Sequence, residues 1–180
     1  MRFEETALKG AWLVAPEPIC DERGFFARSF CVEEFAAHGL ETAFVQHSLS
    51  FSHKRHTLRG LHFQRAPHAE AKIVSCIQGA IFDVIVDLRP GSPTRGRWAA
   101  FELTDVNRLQ LYIPKGFAHG HQTFSDDCTV AYLISAFHLP AAAAGIRYDD
   151  PALDIDWPAR PSILSEKDRQ WPAFEPAAVA

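Results

Sequence analysis

The chain has 180 residues, 47% apolar and 22% charged, with 18 Lys plus Arg against 22 Asp plus Glu for a formal charge of −4. That length predicts one domain over residues 1–180, and that balance excludes disordered and fibrous classes. With no run of like charges long enough to form a basic arm, no nucleic acid is expected as a partner.

Along the chain, Glu4 and Glu5 and the lack of an early apolar run argue against a secretory leader. Val32 to His38, stopped by Gly39, reads as a short helix. From Thr57 to Ala136 the pattern is strand after strand: Leu58–Gln64, Lys72–Gln78, Ile81–Leu88, Trp98–Leu103, Leu109–Ile113 and Cys128–Ala136. Turn chemistry separates them, at Arg65-Ala66-Pro67, Gly79, Arg89-Pro90-Gly91-Ser92-Pro93 and Pro114-Lys115-Gly116. Many short strands at this spacing predict an all-β sandwich or barrel with short peripheral helices. The longest apolar run, Ala80 to Leu88, is broken by Asp83 and Asp87 and is far shorter than the ~18–20 residues that span a bilayer. No membrane association is expected, and the cytoplasm is the expected location. Residues 140–162, rich in Pro and Ala, read as loop wrapping the barrel, and Ser165-Glu166-Lys167-Asp168 reads as the capped start of a second helix. Cys20, Cys31, Cys76 and Cys128 show no C-x-x-C pairing and are expected as buried free thiols.

Five of the nine histidines, His47, His53, His56, His62 and His68, cluster between positions 47 and 68. His38, His53, His56 and His68 read as exposed loop residues. His62 lies inside a strand, where alternation puts it on one face with Leu58 and Gln64. By pattern alone a satisfied core histidine is as good a reading as a catalytic one. Period two places Tyr132 beside Val130 and Ile134 on an apolar face, where its hydroxyl needs a partner. Asp83 and Asp87 share a face of an apolar strand, so an inward carboxylate there needs a cation or a donor. Asp83 reads as a supporting group behind a site, and Asp87, at the strand end, as a turn former.

Pro114-Lys115-Gly116-Phe117-Ala118-His119 matches the P-x-G-x-x-H signature of cupin barrels. The H-x-H-x-E partner motif that supplies metal ligands in many cupins is replaced here by His62-Phe63-Gln64, with Glu70 late. Zinc or iron sites need three or four ligands in fixed geometry, and only two good ones are evident. No metal is expected.

These stretches, with Asp21-Glu22-Arg23-Gly24-Phe25-Phe26, Gln46 to Ser50, Leu58 to Gln64, Phe82 to Asp87, Ile113 to Gly120 and Asp149-Asp150-Pro151 through Ile155-Asp156-Trp157-Pro158, occur in the order found in one family. From about residue 10 to 172 the chain resembles the dTDP-4-dehydrorhamnose 3,5-epimerase family. The resemblance implies a jelly-roll (cupin) fold, a homodimer, a nucleotide-sugar substrate and no cofactor. It implies His62 as general base, Tyr132 as general acid on the facing sheet, and Asp168 as the carboxylate that orients the imidazole; helix N-terminal support is the competing role for Asp168. It further implies Arg59 and Lys72 on the pyrophosphate or the sugar ketone, and Arg23, Gln46, His119 and Lys167 in the nucleotide-sugar pocket.

The chemistry suits these residue types. Removing a proton α to a ketone needs a base poised near neutral pH and a cation for the developing enolate. The sequence departs from the family at Ser48, often Asn; at Arg28, often Glu; at His121, often Phe; and at Phe137-His138, often an aromatic pair. These positions fall near the expected pocket, so the base, the sugar and the number of centres inverted stay open. Epimerisation at one centre, a 3,4-ketoisomerase and a non-catalytic nucleotide-sugar-binding cupin are the rivals.

Overall fold

In the computed structural model, which describes residues 1–175, the elements run β1 (Arg2–Glu5), β2 (Trp12–Ala15), β3 (Ile19–Asp21), β4 (Gly24–Phe26), α1 (Val32–Ala37), β5 (Gln46–Ser52), β6 (Thr57–Gln64), β7 (Lys72–Gln78), β8 (Ala80–Asp87), β9 (Trp98–Thr104), β10 (Gln110–Ile113), β11 (Phe117–Thr123), β12 (Cys128–Ile134), β13 (Ala143–Gly145), β14 (Ile163–Leu164) and α2 (Glu166–Arg169). All six expected strands are present with small shifts at their ends, as are both short helices. The strands that alternation did not reveal include β5 and β11. In β5 His47, Ser48, Leu49 and Phe51 are all exposed, so its apolar residues face out. In β11 every residue is buried, and polar and apolar side chains share the interior. A period-two search keyed to apolar residues passes over both. Within 140–162, expected to be loop throughout, Ala143–Gly145 pairs with β6.

Two sheets face each other in the jelly-roll arrangement. One has the order β1-β2-β10-β7-β12-β5; the other has the order β13-β6-β11-β8-β9, with β14 parallel beside β6. Between them lies a core that takes Val74, Cys76, Leu111, Ile113 and Val130 from the first sheet and Ile81, Ile85, Leu103 and Phe117 from the second. Burying such side chains is worth about 1.5–3 kcal/mol each. The outer face of the second sheet, with Leu61, Val84, Val86 and Ala118, is covered by Ile146, Leu153, Ile155 and Trp157 of the wrapping segment. The outer face of the first packs Val14, Ile73 and Tyr112 against Phe35 of α1. These segments cover much of the two outer faces, while Leu49, Phe51 and Ile77 of the first sheet stay exposed.

Strict alternation along β6 would send Arg59 and His62, three residues apart, to opposite faces. The structure does otherwise. β11 pairs His119 with His62 and His121 with Arg59, so two steps along β11 match three along β6. This bulge adds one residue to β6 and turns Arg59 and His62 to the same side. Gly60 makes it sterically possible: its φ is +137°, and a Cβ there would sit 2.5 Å from Gly120 Cα. Only glycine fits both constraints.

The thiols divide between two settings. Cys76 and Cys128 are buried, but Cys20 is exposed and Cys31 partly so, against the expectation of four buried thiols; the reason is that β3 and its neighbourhood lie on the surface. Among the described residues no helix is long and apolar enough to cross a membrane. Gly60→Ala is expected to cost about 3 kcal/mol, the upper part of the range for strain and overpacking. Urea unfolding measures it, and a loss under about 1 kcal/mol would remove the glycine contact from its place in the fold.

Candidate active site

A cavity of about 540 Å³ opens between the sheets, within the ~300–1,000 Å³ of small-molecule sites. The first sheet lines it with Ser48, Ser50, Lys72 and Tyr132. The second contributes Arg59, His62, Gln64, His119 and His121, and the segment through α2 adds Lys167, Asp168 and Trp171. The polar residues of the two sheets therefore confront each other across one space.

His62 and Asp168 lie 106 positions apart in sequence, yet His62 Nε2–H donates to Asp168 Oδ1 at 2.5 Å. Asp168 gets there because Ser165 caps α2: the Asp168 amide donates to Ser165 Oγ at 3.1 Å, and the short helix lies against β6. The two roles considered for Asp168 are thus divided between its backbone, which completes the helix N-terminus, and its side chain, which meets the imidazole. Trp171 Nε1–H donates to the same carboxylate oxygen at 3.0 Å. Burial pushes the Asp168 carboxyl up, but the His62 hydrogen bond and charge, then Trp171 and Ser165, bring it below its ordinary value. It stays a carboxylate and keeps a proton on Nε2. Nδ1 of His62 has no hydrogen-bond partner among the described residues and is free to act as a base. The His62 side chain is 41% exposed and that of Asp168 6%, so the imidazole faces the cavity while the carboxylate that anchors it is sealed. A hydrogen bond to a charged group is worth about 1.5–3 kcal/mol, and solvent around His62 puts this one toward the lower end.

Across the cavity Tyr132 is partly buried. Burial, with Asp83 nearby, pushes its phenol well above the ordinary value, so it stays protonated. Its hydroxyl lies 3.4 Å from His121 Nδ1. Behind it a 2.7 Å hydrogen bond joins His119 Nε2 to Asp83 Oδ1. Burial raises Asp83 to about 8 and lowers His121 to about 3, the latter against the pull of Asp83. His119 is also pushed well down by burial and then by Lys72. The group is therefore a set of neutral donors and acceptors near pH 7.

Lys72 is nearly buried and pairs with Glu70 at 2.9 Å, which offsets the cost of placing an ammonium there. Arg59 donates to the Phe51 carbonyl and to Ser52 Oγ, which fixes its guanidinium at the rim. Ser48, His119, His138 and Lys167 also line the cavity. Gln46 does not; its side-chain oxygen accepts from the His138 amide and so supports the wall. Phe137 is exposed beside it. Arg23 sits on the β3–β4 hairpin, paired with Asp21, and Arg28 pairs with Glu34. The structure brings neither arginine to the cavity of its own chain, because the hairpin projects from the surface. Asp87 accepts from Arg89, Ser92 and Thr94 and organises the turn after β8.

Ser50, Glu70 and Trp171 complete the lining, though sequence reasoning gave none of them a place in it. For Ser50 a signal existed, since Ser48 and Ser50 alternate with Leu49 and Phe51; the polar side simply turns inward. Trp171 carried no such signal, because it arrives from the end of the chain. As for a metal, Asp83, His119 and His121 place one potential ligand atom each within 4.8 Å of the others, a donor set a divalent cation accepts. The bond between His119 and Asp83 would have to open to admit one.

The raised value of Asp83 has a consequence for stability. Unfolded, the carboxyl ionises near ~3.9; folded, it holds its proton to about 8. Its stabilising contribution is therefore full below the unfolded value and is lost as the pH rises toward the folded one. Asp83→Asn cannot ionise, so between about pH 5 and about pH 8 it is expected to lose less stability than the parent. Urea midpoints at the two pH values measure this, and equal losses would contradict a protonated Asp83.

Comparison with known proteins agrees with the fold. The dTDP-4-dehydrorhamnose 3,5-epimerase family model matches residues 5–176. A Methanothermobacter thermautotrophicus protein named dTDP-4-dehydrorhamnose 3,5-epimerase is 47% identical over 173 residues, which cover 94% of this chain and 92% of that one. A Streptomyces niveus protein named dTDP-4-dehydrorhamnose 3-epimerase is 42% identical and covers 94% of this chain and 82% of its own. The crystal structure of dTDP-4-dehydrorhamnose 3,5-epimerase from Bacillus anthracis, with TDP and PPi bound, superposes with a TM-score of 0.93 at 40% identity, covering 96% of this chain and 99% of that one. A match from end to end, at this identity and on the same barrel, means that the chain belongs to the dTDP-4-dehydrorhamnose 3,5-epimerase family.

Proposed function

We propose that the protein epimerises a nucleotide-linked 4-keto-6-deoxyhexose, of the dTDP-4-dehydro-6-deoxyglucose type, by moving protons at C3, C5 or both. The observation that carries this reading is the pair of unlike groups across one cavity, a solvent-facing imidazole anchored by Asp168 and a buried, protonated phenol. Inversion at a carbon α to a ketone needs a proton taken from one face and returned to the other. His62 Nδ1 takes it, and Asp168 stabilises the resulting imidazolium. Lys72 spends one donor on Glu70 and has others for the ketone oxygen, where negative charge develops. Tyr132 returns a proton from the opposite sheet. This is acid–base chemistry throughout and calls for no cofactor.

The nucleotide end is assigned by charge. Arg59 and Lys167 line the cavity rim and suit a pyrophosphate. Arg23 and Arg28 lie outside this chain's cavity, on or near a hairpin whose Ile19, Phe25 and Phe26 are exposed. Exposed apolar residues at that hairpin and at Leu49 and Phe51 of the edge strand β5 support a homodimer as the working form. A cytoplasmic location agrees with Cys76 and Cys128 standing as thiols, their Sγ atoms 3.7 Å apart. We read residues 1–180 as one domain.

Incubation with dTDP-4-dehydro-6-deoxyglucose in D₂O, followed by NMR, tests the reading. Label at C3, C5 or both with inverted product is expected; label and inversion at one carbon only gives the single-centre epimerase. A carbonyl moved to C3 gives the ketoisomerase, and no label at all leaves a binding protein. His62→Asn is expected to abolish wash-in at both carbons, a loss of at least about 10³-fold. Tyr132→Phe is expected to keep some wash-in while inversion falls about 10²-fold. Equal wash-in for His62→Asn and the parent would take the base role away from His62.

A further inference from the structure

The reaction as described uses Tyr132 but says nothing of the buried polar group behind it. Two atoms there have no hydrogen-bond partner among the described residues, His121 Nε2 and Asp83 Oδ2. Leaving such atoms unpaired in a dry interior costs about 1–3 kcal/mol each. Asp83 and His121 belong to directly paired positions of β8 and β11, and one ligand atom of each lies within 4.8 Å of the other. On its other side the His121 ring reaches Tyr132, Nδ1 to hydroxyl, at 3.4 Å.

We propose that His121 is a positioning residue for the Tyr132 acid: its Nδ1–H donates to the phenol oxygen and turns the phenolic hydrogen toward the sugar. This rests on the epimerase reading with Tyr132 as acid. A phenol has one hydrogen. If Tyr132 gave it to His121, none would point at the substrate, so the productive imidazole is the one protonated at Nδ1. That tautomer leaves an Nε2 lone pair in need of a donor. Nε2 has no partner among the described residues, and neither has Asp83 Oδ2, so no donor or acceptor on the far side of the ring opposes that tautomer. Burial keeps His121 neutral against the pull of Asp83, and His119, Arg59 and His62 all oppose its protonation. Lys72 faces the same cluster and lowers Asp83 against the effect of burial.

His121→Phe removes the Nδ1 contact at similar volume, whereas His121→Asn keeps an amide where Nδ1 stood. For His121→Phe, kcat for inversion is expected to fall about tenfold or more, with KM within about twofold. Deuterium wash-in by His62 persists, so the exchange-to-inversion ratio rises by the same factor as kcat falls. His121→Asn should recover most of the lost inversion. An unchanged ratio in His121→Phe overturns the role of His121 while leaving the epimerase standing, and a parent chain that neither exchanges nor inverts overturns both. Long-range ¹H–¹⁵N NMR of the unaltered protein needs no variant to fold: Nδ1–H on His121 is expected, and an Nε2–H tautomer overturns the proposal.

Discussion

The arrangement of this protein depends on one close approach, that of Gly60 to Gly120 where β6 and β11 cross the interior. A side chain at either position would part the strands, and without the extra residue in β6 the register would place Arg59 and His62 on opposite faces. Because the bulge turns both inward, a guanidinium and an imidazole share one cavity. The same stretch lies against His119 and His121, so the bulge also sets where the imidazoles of β11 stand relative to His62.

Around that point the barrel is built as a gradient. At one end the facing sheets interlock Val, Ile, Leu and Phe. At the other end the interior is polar, and burying those groups would cost more than it returns unless each finds a partner. Most do: Asp168 takes His62 and Trp171, Lys72 takes Glu70, and Asp83 takes His119. The gradient also separates two unlike groups. His62 stands in partial solvent with a paired carboxylate beneath it, and Tyr132 is partly buried on the facing sheet, where burial holds its proton.

His121 shows how a single departure can matter in such a place. Where an apolar ring would merely fill space, an imidazole brings two polar atoms into a sealed region, and one of them reaches the acid. A buried polar group of this kind stabilises little by itself and is better understood through what it does to its neighbour's proton.

Much of this was legible in the sequence. Alternation and turn residues outlined the strands from β6 to β10 and β12, and matched motifs pointed to His62, Tyr132, Lys72 and Asp168, because those signals are local and survive in one dimension. β5 and β11 were hidden, since their buried faces are polar and the usual apolar alternation is reversed or absent. Arg23 and Arg28 shared a motif region with site residues but stand on the surface of this chain, which motif order cannot reveal. The amino-acid order by itself thus determined a single all-β barrel with a base and an acid available to it, through propensity, periodicity and turn chemistry. Only the tertiary structure decided that His62 and Asp168, 106 positions apart, would touch, that Trp171 would close over them, and that Asp83, His119 and His121 would gather behind Tyr132. Those outcomes follow from strand register and from chain ends folding back, and such long-range pairings leave no trace in local pattern.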